Sequence, residues 1–474
     1  MISRAEPGRT SVRPLAVLVA GAFFMEMFDG TAIIPALPAI AESFDVSAVD
    51  AGLGVTAYLL TVTSMIPLSG WLADRYGARK VFCVAIAGFV LASVLCVAAH
   101  AFWQFVAARV AQGFAGAMMV PVGRTLVLRI APKADLMAAT AIFTWPGLVA
   151  PILGPPIGGL VTTYASWRWI FLINAPLGLV ALVFALRMVK ESPVERRPFD
   201  GTGFALGTLS IAALMYGLEI TGGGHDRWPL AGGMIVAGLA VAALAVRHSR
   251  RHPTPLIDLS PLRIATYAAC TWQGGLLRMA INMVPFMLPL LFQVVFGMSA
   301  AVSGLLVLTV FAGNLLAKTV TTPIMRYFGF RPVLLVSGLL SAVSLAVCAL
   351  FDASTPYATI AATCFLGGVF RSLAFTATNT LAFADVPPAT MNAASTLYAT
   401  TTQLSIGLGV AVAATTVRLA ADGSSPAAAD FRAGFLAGAV IALAGASLFL
   451  LLAPSAGAEV SAGRNSSRQR RAAS

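Results

Sequence analysis

Met25-Glu26-Met27-Phe28-Asp29-Gly30-Thr31 sets two carboxylates inside an apolar run from Pro14 to Ala41 that is long enough to cross a bilayer. An acidic side chain at the centre of a span costs roughly 2.5–3.5 kcal/mol on insertion scales, so it persists only where it faces a polar interior, takes a partner or binds a proton. Glu26 and Asp29 stand three apart and share one helical face. That placement points to proton and solute handling; the alternative is that one of them only fixes helix packing.

The rest of the chain has the same character. Its 474 residues are 58% hydrophobic and 11% charged, with a mean hydropathy of +0.86, whereas an average soluble domain carries about 25% charged residues. This is the composition of a polytopic, all-α membrane protein. The first apolar run is longer than a signal-peptide core and lacks a small-residue cleavage site before a polar start, so it is expected to remain as a helix. The longest polar stretches, 1–13, 190–202 and 457–474, are too short to bury a core of their own. Cys83, Cys96, Cys270, Cys348 and Cys364 are scattered through apolar spans, so neither disulfides nor a metal site is expected. His100, His225, His248 and His252 fall near loops and read as solvated.

Runs of about 20 apolar residues place helices near 14–40, 50–71, 81–99, 103–128, 137–163, 169–189, 203–221, 229–247, 266–292, 298–320, 332–351, 357–383, 393–417 and 431–453, fourteen in all. With the N-terminus inside, 22 of the 31 basic residues fall in inner segments. Only Arg168, Arg227, Arg418 and Arg432 fall in outer loops. The net charge of +12 therefore reports topology, with both termini cytoplasmic, and not nucleic-acid binding.

An internal repeat is visible. Gly70-Trp71-Leu72-Ala73-Asp74-Arg75-Tyr76-Gly77-Ala78-Arg79 after helix 2 aligns, Gly77 on Gly329, with Thr322-Pro323-Ile324-Met325-Arg326-Tyr327-Phe328-Gly329-Phe330-Arg331 after helix 10. This divides the chain into an N-terminal tail (1–13), a six-helix bundle (14–190), a linker region with inserted helices 7 and 8 (191–262), a second six-helix bundle (263–453) and a basic tail (454–474). Repeats of this kind usually put a substrate site at their interface near the midplane.

Three motifs carry chemistry. In Gly70–Lys80 the glycines permit a tight turn, Asp74 can accept from a helix N-terminus or an arginine, and Arg75, Arg79 and Lys80 mark the basic face, as a charged clasp that gates one bundle against the other would require. In Arg109-Val110-Ala111-Gln112-Gly113 a guanidinium lies within an apolar span, followed by small residues that allow close helix approach. At ~1.5 Å per residue, Asp29 lies roughly 22 Å from the inner start of helix 1 and Arg109 roughly 9 Å from the outer start of helix 4. In a hydrocarbon core of about 30 Å these are nearly one level, so Arg109 is the expected partner of Asp29. Gly147, Gly154, Pro155, Gly158 and Gly159 mark helix 5 as one that kinks readily and packs closely. Arg278 sits near the middle of helix 9 and reads as a pathway or partner residue. Arg371 and Glu219 read as nearer span ends, where packing or snorkelling is as good an account, and Arg124 and Lys318 read as snorkelling.

No GxxxxGK[ST] phosphate loop is present, so no nucleotide is expected and the driving energy falls to a gradient. No H-E-x-x-H or G-x-S-x-G stands at a membrane surface, so no enzyme is expected either.

Together these residues resemble the major facilitator superfamily, in its fourteen-span drug:proton antiporter branch of EmrB/QacA type. Gly70–Lys80 resembles the loop 2–3 motif, Arg109–Gly116 the helix 4 motif and Gly147–Gly159 the antiporter motif of helix 5. Asp29-Gly30-Thr31 with Ala36-Leu37-Pro38 resembles the helix 1 signature, and Ser166–Pro176 is similar to the start of helix 6. Within the branch, Gly116–Arg124, Arg278 and Arg371 look closest to the MdtD-like transporters. The resemblance implies a bacterial inner-membrane exporter exchanging a cytoplasmic small molecule for protons, without a cofactor, in which Asp29 carries protons and Arg109 tunes it. Two departures stand out: Glu26 is an acid where the resemblance leads one to expect a neutral residue, and Arg326 stands where the first loop motif has Asp74.

The expected proton and cavity set is Asp29, Glu26, Arg109, Gln112, Arg278 and Arg371. Because the embedded charges include at least as many bases as acids, an anionic or metal-chelate substrate such as a citrate complex stands beside lipophilic cations. A non-transporting membrane sensor and an uptake symporter are the remaining alternatives.

Overall fold

The computed structural model describes residues 12–130, 136–189, 198–221, 227–422, 426–454 and 456–457. Residues 1–11, 455 and 458–474 of the two tails, with His225, Lys133 and the basic cluster at Lys190, Arg196 and Arg197, which enter the topology argument, lie outside them. All regular structure among the described residues is helical, as a lipid environment demands of backbones that cannot donate to water. In chain order the helices are α1 (Val12–Ala32), α2 (Leu37–Phe44), α3 (Ala48–Ala51), α4 (Leu53–Tyr76), α5 (Ala78–Ala98), α6 (Phe102–Ile130), α7 (Leu136–Tyr164), α8 (Arg168–Leu172), α9 (Asn174–Met188), α10 (Gly201–Ile220), α11 (Trp228–Arg251), α12 (Ala265–Leu290), α13 (Ala300–Phe328), α14 (Phe330–Cys348), α15 (Tyr357–Ala384), α16 (Met391–Ala421) and α17 (Ala428–Leu448). Among the described residues, thirteen stretches are long and apolar enough to span a membrane. The 29-residue α7, with Pro146, Pro151, Pro155 and Pro156 inside it, stands at the place of the fourteenth.

Differences from the expected spans have local causes. The first span breaks at Pro35, which cannot donate to the ladder, so α1 passes through a 3₁₀ turn at Ile34–Ala36 into α2. The sixth is interrupted at Ile173, between α8 and α9. The ninth ends in a π-helical turn at Leu291–Val295. Arg418, assigned to an outer loop, is in the last turn of α16.

The repeat is written into the backbone. Gly77 and Gly329 both have positive φ, 89° and 81°, a region closed to residues with a Cβ except at a cost. Beyond each glycine an arginine Nη2 donates to a carbonyl: Arg79 to Leu186 at 2.6 Å and Arg331 to Leu450 at 2.7 Å. At the opposite end, Arg168 Nε donates to Val97 O and Arg432 Nε to Ala349 O, both at 3.1 Å. We call the side of Gly77 and Gly329 the basic end and the other the far end.

At the far end the halves share one apolar core, in which Phe28, Leu37, Val55 and Phe105 join Phe286, Leu291 and Phe311. The basic end of the first half has a separate core around Val19, Phe82, Phe89 and Met119. Hydrogen bonds across the interface also lie at the far end: Gln293 Nε2 to Pro35 O at 2.9 Å, Ala301 N to Thr163 Oγ1 at 3.0 Å and Arg418 Nη1 to Asp50 Oδ1 at 3.2 Å.

The pair α10–α11 is tied down by Asp200, the N-cap of α10. Its carboxylate accepts from Gly203 N at 2.8 Å and from Leu256 N at 3.2 Å in the connector to α12, and lies 2.7 Å from His248 Nε2. Burial works against the charged form, but these hydrogen bonds outweigh it and hold Asp200 below its ordinary 3.8. The tie is therefore present at neutral pH and lost only as pH falls through that lowered value. His248, expected to be merely solvated, is part of this tie.

Candidate functional site

Asp29 is fully buried and held by three donors from two helices of the first half, α6 and α9. Arg109 Nη1 lies 2.5 Å from its Oδ2, while Gln112 Nε2 and Asn174 Nδ2 each donate to Oδ1 at 2.9 Å. The same two amides reach Ser93 Oγ, at 2.9 and 3.3 Å. Arg109, itself fully buried, also bonds Gln112 Oε1 and donates from Nε to Gly54 O at 3.2 Å, with its guanidinium carbon 4.3 Å from the Tyr58 ring centroid. The level argument from helical rise thus put the right residues together. Asn174 and Ser93 escaped that reading; the available signal for Asn174 was a lone amide inside the apolar start of helix 6.

A cavity of about 210 Å³ lies between the halves, lined by Glu26, Tyr58, Asn282, Arg371 and Gln403 among apolar groups such as Met27, Leu59, Phe286, Phe311 and Ile406. Of the six expected cavity residues, only Glu26 and Arg371 line it. Asp29, Arg109 and Gln112 sit behind its wall. The reason is helical pitch: residues three apart are offset by about 60° around the axis, enough for Glu26 to face the cavity while Asp29 points into its own half. Glu26 is 6% exposed, and its Oε2 has no hydrogen-bond partner among the described residues.

Arg371, read from the sequence as nearer a span end, lies in the middle of α15 and reaches the cavity. Its Nη2 donates to Asn282 Oδ1 at 3.0 Å, and its guanidinium carbon lies 4.8 Å from the Phe375 ring centroid. Nε and Nη1 have no partner among the described residues. Arg278 stands behind, donating from Nη2 to Tyr398 OH at 2.7 Å and to Asn379 Oδ1 at 3.4 Å.

The motif residues position these groups. A Cβ on Gly147, Gly154 or Gly158 would come within 2.1 Å of Phe23, Thr31 Oγ1 or Ala32 O on α1, while one on Gly159 would come within 2.2 Å of Ala300 O at the start of α13. Thus α7 is wedged between the acid-bearing helix and the opposite half, and Pro151 and Pro155 line the cavity. In the loop motif, Gly77 makes the turn and Arg79 ties α5 to α9 within one half, a narrower contact than the expected clasp between bundles. Arg75, Gly70 and Lys80 are exposed and Asp74 is half-buried.

At the far end Arg418 bridges three parts of the chain: Glu219 on α10 at 2.5 Å and Asp50 on α3 at 3.2 Å. Asp50 is 48% exposed, so its share is small. Glu219→Gln, which leaves Arg418 a neutral acceptor, should lower stability by under about 1 kcal/mol. Arg418→Gln leaves two facing carboxylates and should loosen the far end more, read as faster thiol labelling of a cysteine placed at the buried Ala301.

Comparison with known proteins agrees with this architecture. The Major Facilitator Superfamily matches residues 19–255 and 270–473. The chain is 37% identical over 407 residues, 85% of its length and 86% of the relative's, to the multidrug resistance protein MdtD of Klebsiella pneumoniae (strain 342). To the MdtD of Citrobacter koseri it is 36% identical over 398 residues, 84% of each chain. Among solved structures, a POT family transporter in complex with 5-aminolevulinic acid superposes with a TM-score of 0.70 at 14% identity, covering 94% of this chain and 96% of that one. A bacterial homologue of the lysosomal transporter Spinster, inward-facing and unoccupied, gives 0.67 at 14% identity, covering 94% and 97%. At such identities they speak for the fold alone. With the family matching nearly the whole chain and the repeated bundles enclosing a central cavity, this protein belongs to the Major Facilitator Superfamily, as a multi-pass membrane transporter and not an enzyme.

Proposed function

We propose that the chain exports a small solute in exchange for protons, and that proton and substrate compete for Glu26. The observation that carries this reading is the unpartnered Glu26 oxygen at the cavity between the halves. A buried carboxylate without a donor is costly when charged, so it draws in a proton or a cationic group, and holding one excludes the other. Asp29 does a different job. With Arg109, Gln112 and Asn174 around it, its charge is already balanced, and it fixes α1 against its own bundle. We take the basic end as cytoplasmic in a bacterial inner membrane, as the loop charges favour. On that reading, the shared core and cross-bonds at the far end make this the state sealed toward the outside. The relatives named for multidrug resistance favour a drug-like or metabolite cargo, and the lack of a phosphate loop favours a proton gradient as the energy source.

The test is proton flux in inside-out vesicles challenged with cationic, neutral, zwitterionic and anionic solutes. Glu26→Gln should abolish the solute-induced pH change, at least about tenfold, while leaving thermal stability unchanged or higher, because it removes an unpaired buried acid. Full coupled exchange by Glu26→Gln would overturn the assignment and return the proton to Asp29.

A further inference from the structure

The pairing of Arg109 with Asp29 has a counterpart in the other half. With Gly77 aligned on Gly329, α12 corresponds to α1 and α15 to α6, and there Arg371 Nη2 meets Asn282 Oδ1 at 3.0 Å as Arg109 Nη1 meets Asp29 Oδ2 at 2.5 Å. The acceptor has changed from a carboxylate to an amide. Arg109 is therefore neutralised by its own bundle, and Arg371 is not.

Nothing nearby makes up the difference. Nε and Nη1 of Arg371 have no partner, its guanidinium stacks on Phe375 and Phe311, and its neighbour Arg278 bonds only the neutral Tyr398 and Asn379 among the described residues. A guanidinium with two unused donors in a desolvated wall is a site for a planar anion such as a carboxylate. Glu26, contributed by the other half, lines the same cavity with its own unpartnered oxygen.

We propose that the substrate is a small dipolar molecule, its anionic group taking the free Nε and Nη1 of Arg371 beside Asn282 and its cationic group taking the place of the proton on Glu26. The proposal rests on the reading of Glu26 as the exchanging acid. Size and lining narrow it further. The cavity of about 210 Å³ falls below the roughly 300–1,000 Å³ of drug-sized pockets. The remaining lining is largely apolar, with Met27, Leu59, Phe286, Phe311 and Ile406. An apolar α-amino acid, or a zwitterion of similar size, meets all of these conditions.

Equilibrium binding to the purified full chain, by calorimetry without a pH gradient, tests it with three probes: phenylalanine, its methyl ester (cation only) and N-acetylphenylalanine (anion only). Phenylalanine should bind at least about tenfold more tightly than either derivative. Arg371→Gln should erase its advantage over the ester, and Glu26→Gln its advantage over the N-acetyl compound. Asn282→Asp keeps the guanidinium but supplies the missing carboxylate, and should weaken phenylalanine as much as Arg371→Gln does. Equal binding of all three probes, no binding of phenylalanine, or uniform weakening of all three by every variant would overturn the proposal. A chain that binds phenylalanine selectively but moves no protons would overturn the exchange reading alone. One that exchanges protons for lipophilic cations and ignores phenylalanine would overturn this one alone.

Discussion

Arg109→Leu should cost roughly 3–5 kcal/mol of folding stability, the loss expected when one partner of a buried ion pair is removed and the other is left charged. Asp29 has no access to water and would keep only the two neutral amides of Gln112 and Asn174. The Gly54 carbonyl would lose its donor as well. The drop should show as a lower melting temperature and poorer recovery of monodisperse protein in detergent. Arg109→Lys should fall nearly as far, because one ammonium cannot reach Asp29, Gln112 and Gly54 with the fork geometry of a guanidinium. The double variant Arg109→Leu/Asp29→Leu should recover most of the loss, since a well-packed apolar pair removes both desolvated charges. Arg109→Leu melting with the parent chain would show that the pair contributes no stability and would reopen Asp29 as a mobile proton site.

Gly304→Val should abolish transport by forcing the far end apart. A Cβ at Gly304 would sit 2.2 Å from Pro155 O, and one at Gly159 2.2 Å from Ala300 O, so α7 and α13 are pressed together backbone against backbone at both positions. Overpacking of this kind costs typically 1–3 kcal/mol. Here the clash is with main chain, so the strain is relieved by separating the halves, not by turning a side chain. The five native cysteines are all buried, so a cysteine introduced at Ala301, which is 6% exposed and whose amide donates to Thr163 Oγ1 across the interface, reports the opening. Its labelling should accelerate at least about tenfold in Gly304→Val. Unchanged labelling with intact transport would mean that this contact does not seal the molecule.

Much of this was legible in one dimension, and the reason is physical. A bilayer forces each span to be a helix of known rise, so depth can be counted along the chain, and depth alone brought Arg109 to Asp29. Gly77 and Gly329 announced matching turns because a positive φ there needs glycine. What depth cannot supply is azimuth and neighbourhood. Glu26 and Asp29 share a level and a broad face, yet one lines the cavity and the other is sealed behind it, a difference set by how α1 is rotated against α7. The Arg371–Asn282 pair and the Glu219–Arg418–Asp50 cluster join spans far apart in sequence, so no local spacing marks them. Arg371 stands in the expected cavity set, yet its depth and its Asn282 partner are hidden in the sequence, where a lone arginine reads equally well as snorkelling when its neighbours across the fold are unknown. Asn174 lies in a stretch where no spacing points its amide at Asp29, 145 residues away.

The arginine-to-carbonyl bonds found at both ends of both halves have a practical consequence. Arg79 and Arg168 each join the third span to the sixth, near Leu186 and Val97, and Arg331 and Arg432 do the same for their counterparts near Leu450 and Ala349. A frame braced at both ends changes shape little when it swings. A pair of spin labels set inside one frame therefore serves as a fixed ruler, and the swing of one frame past the other is the distance that changes against it.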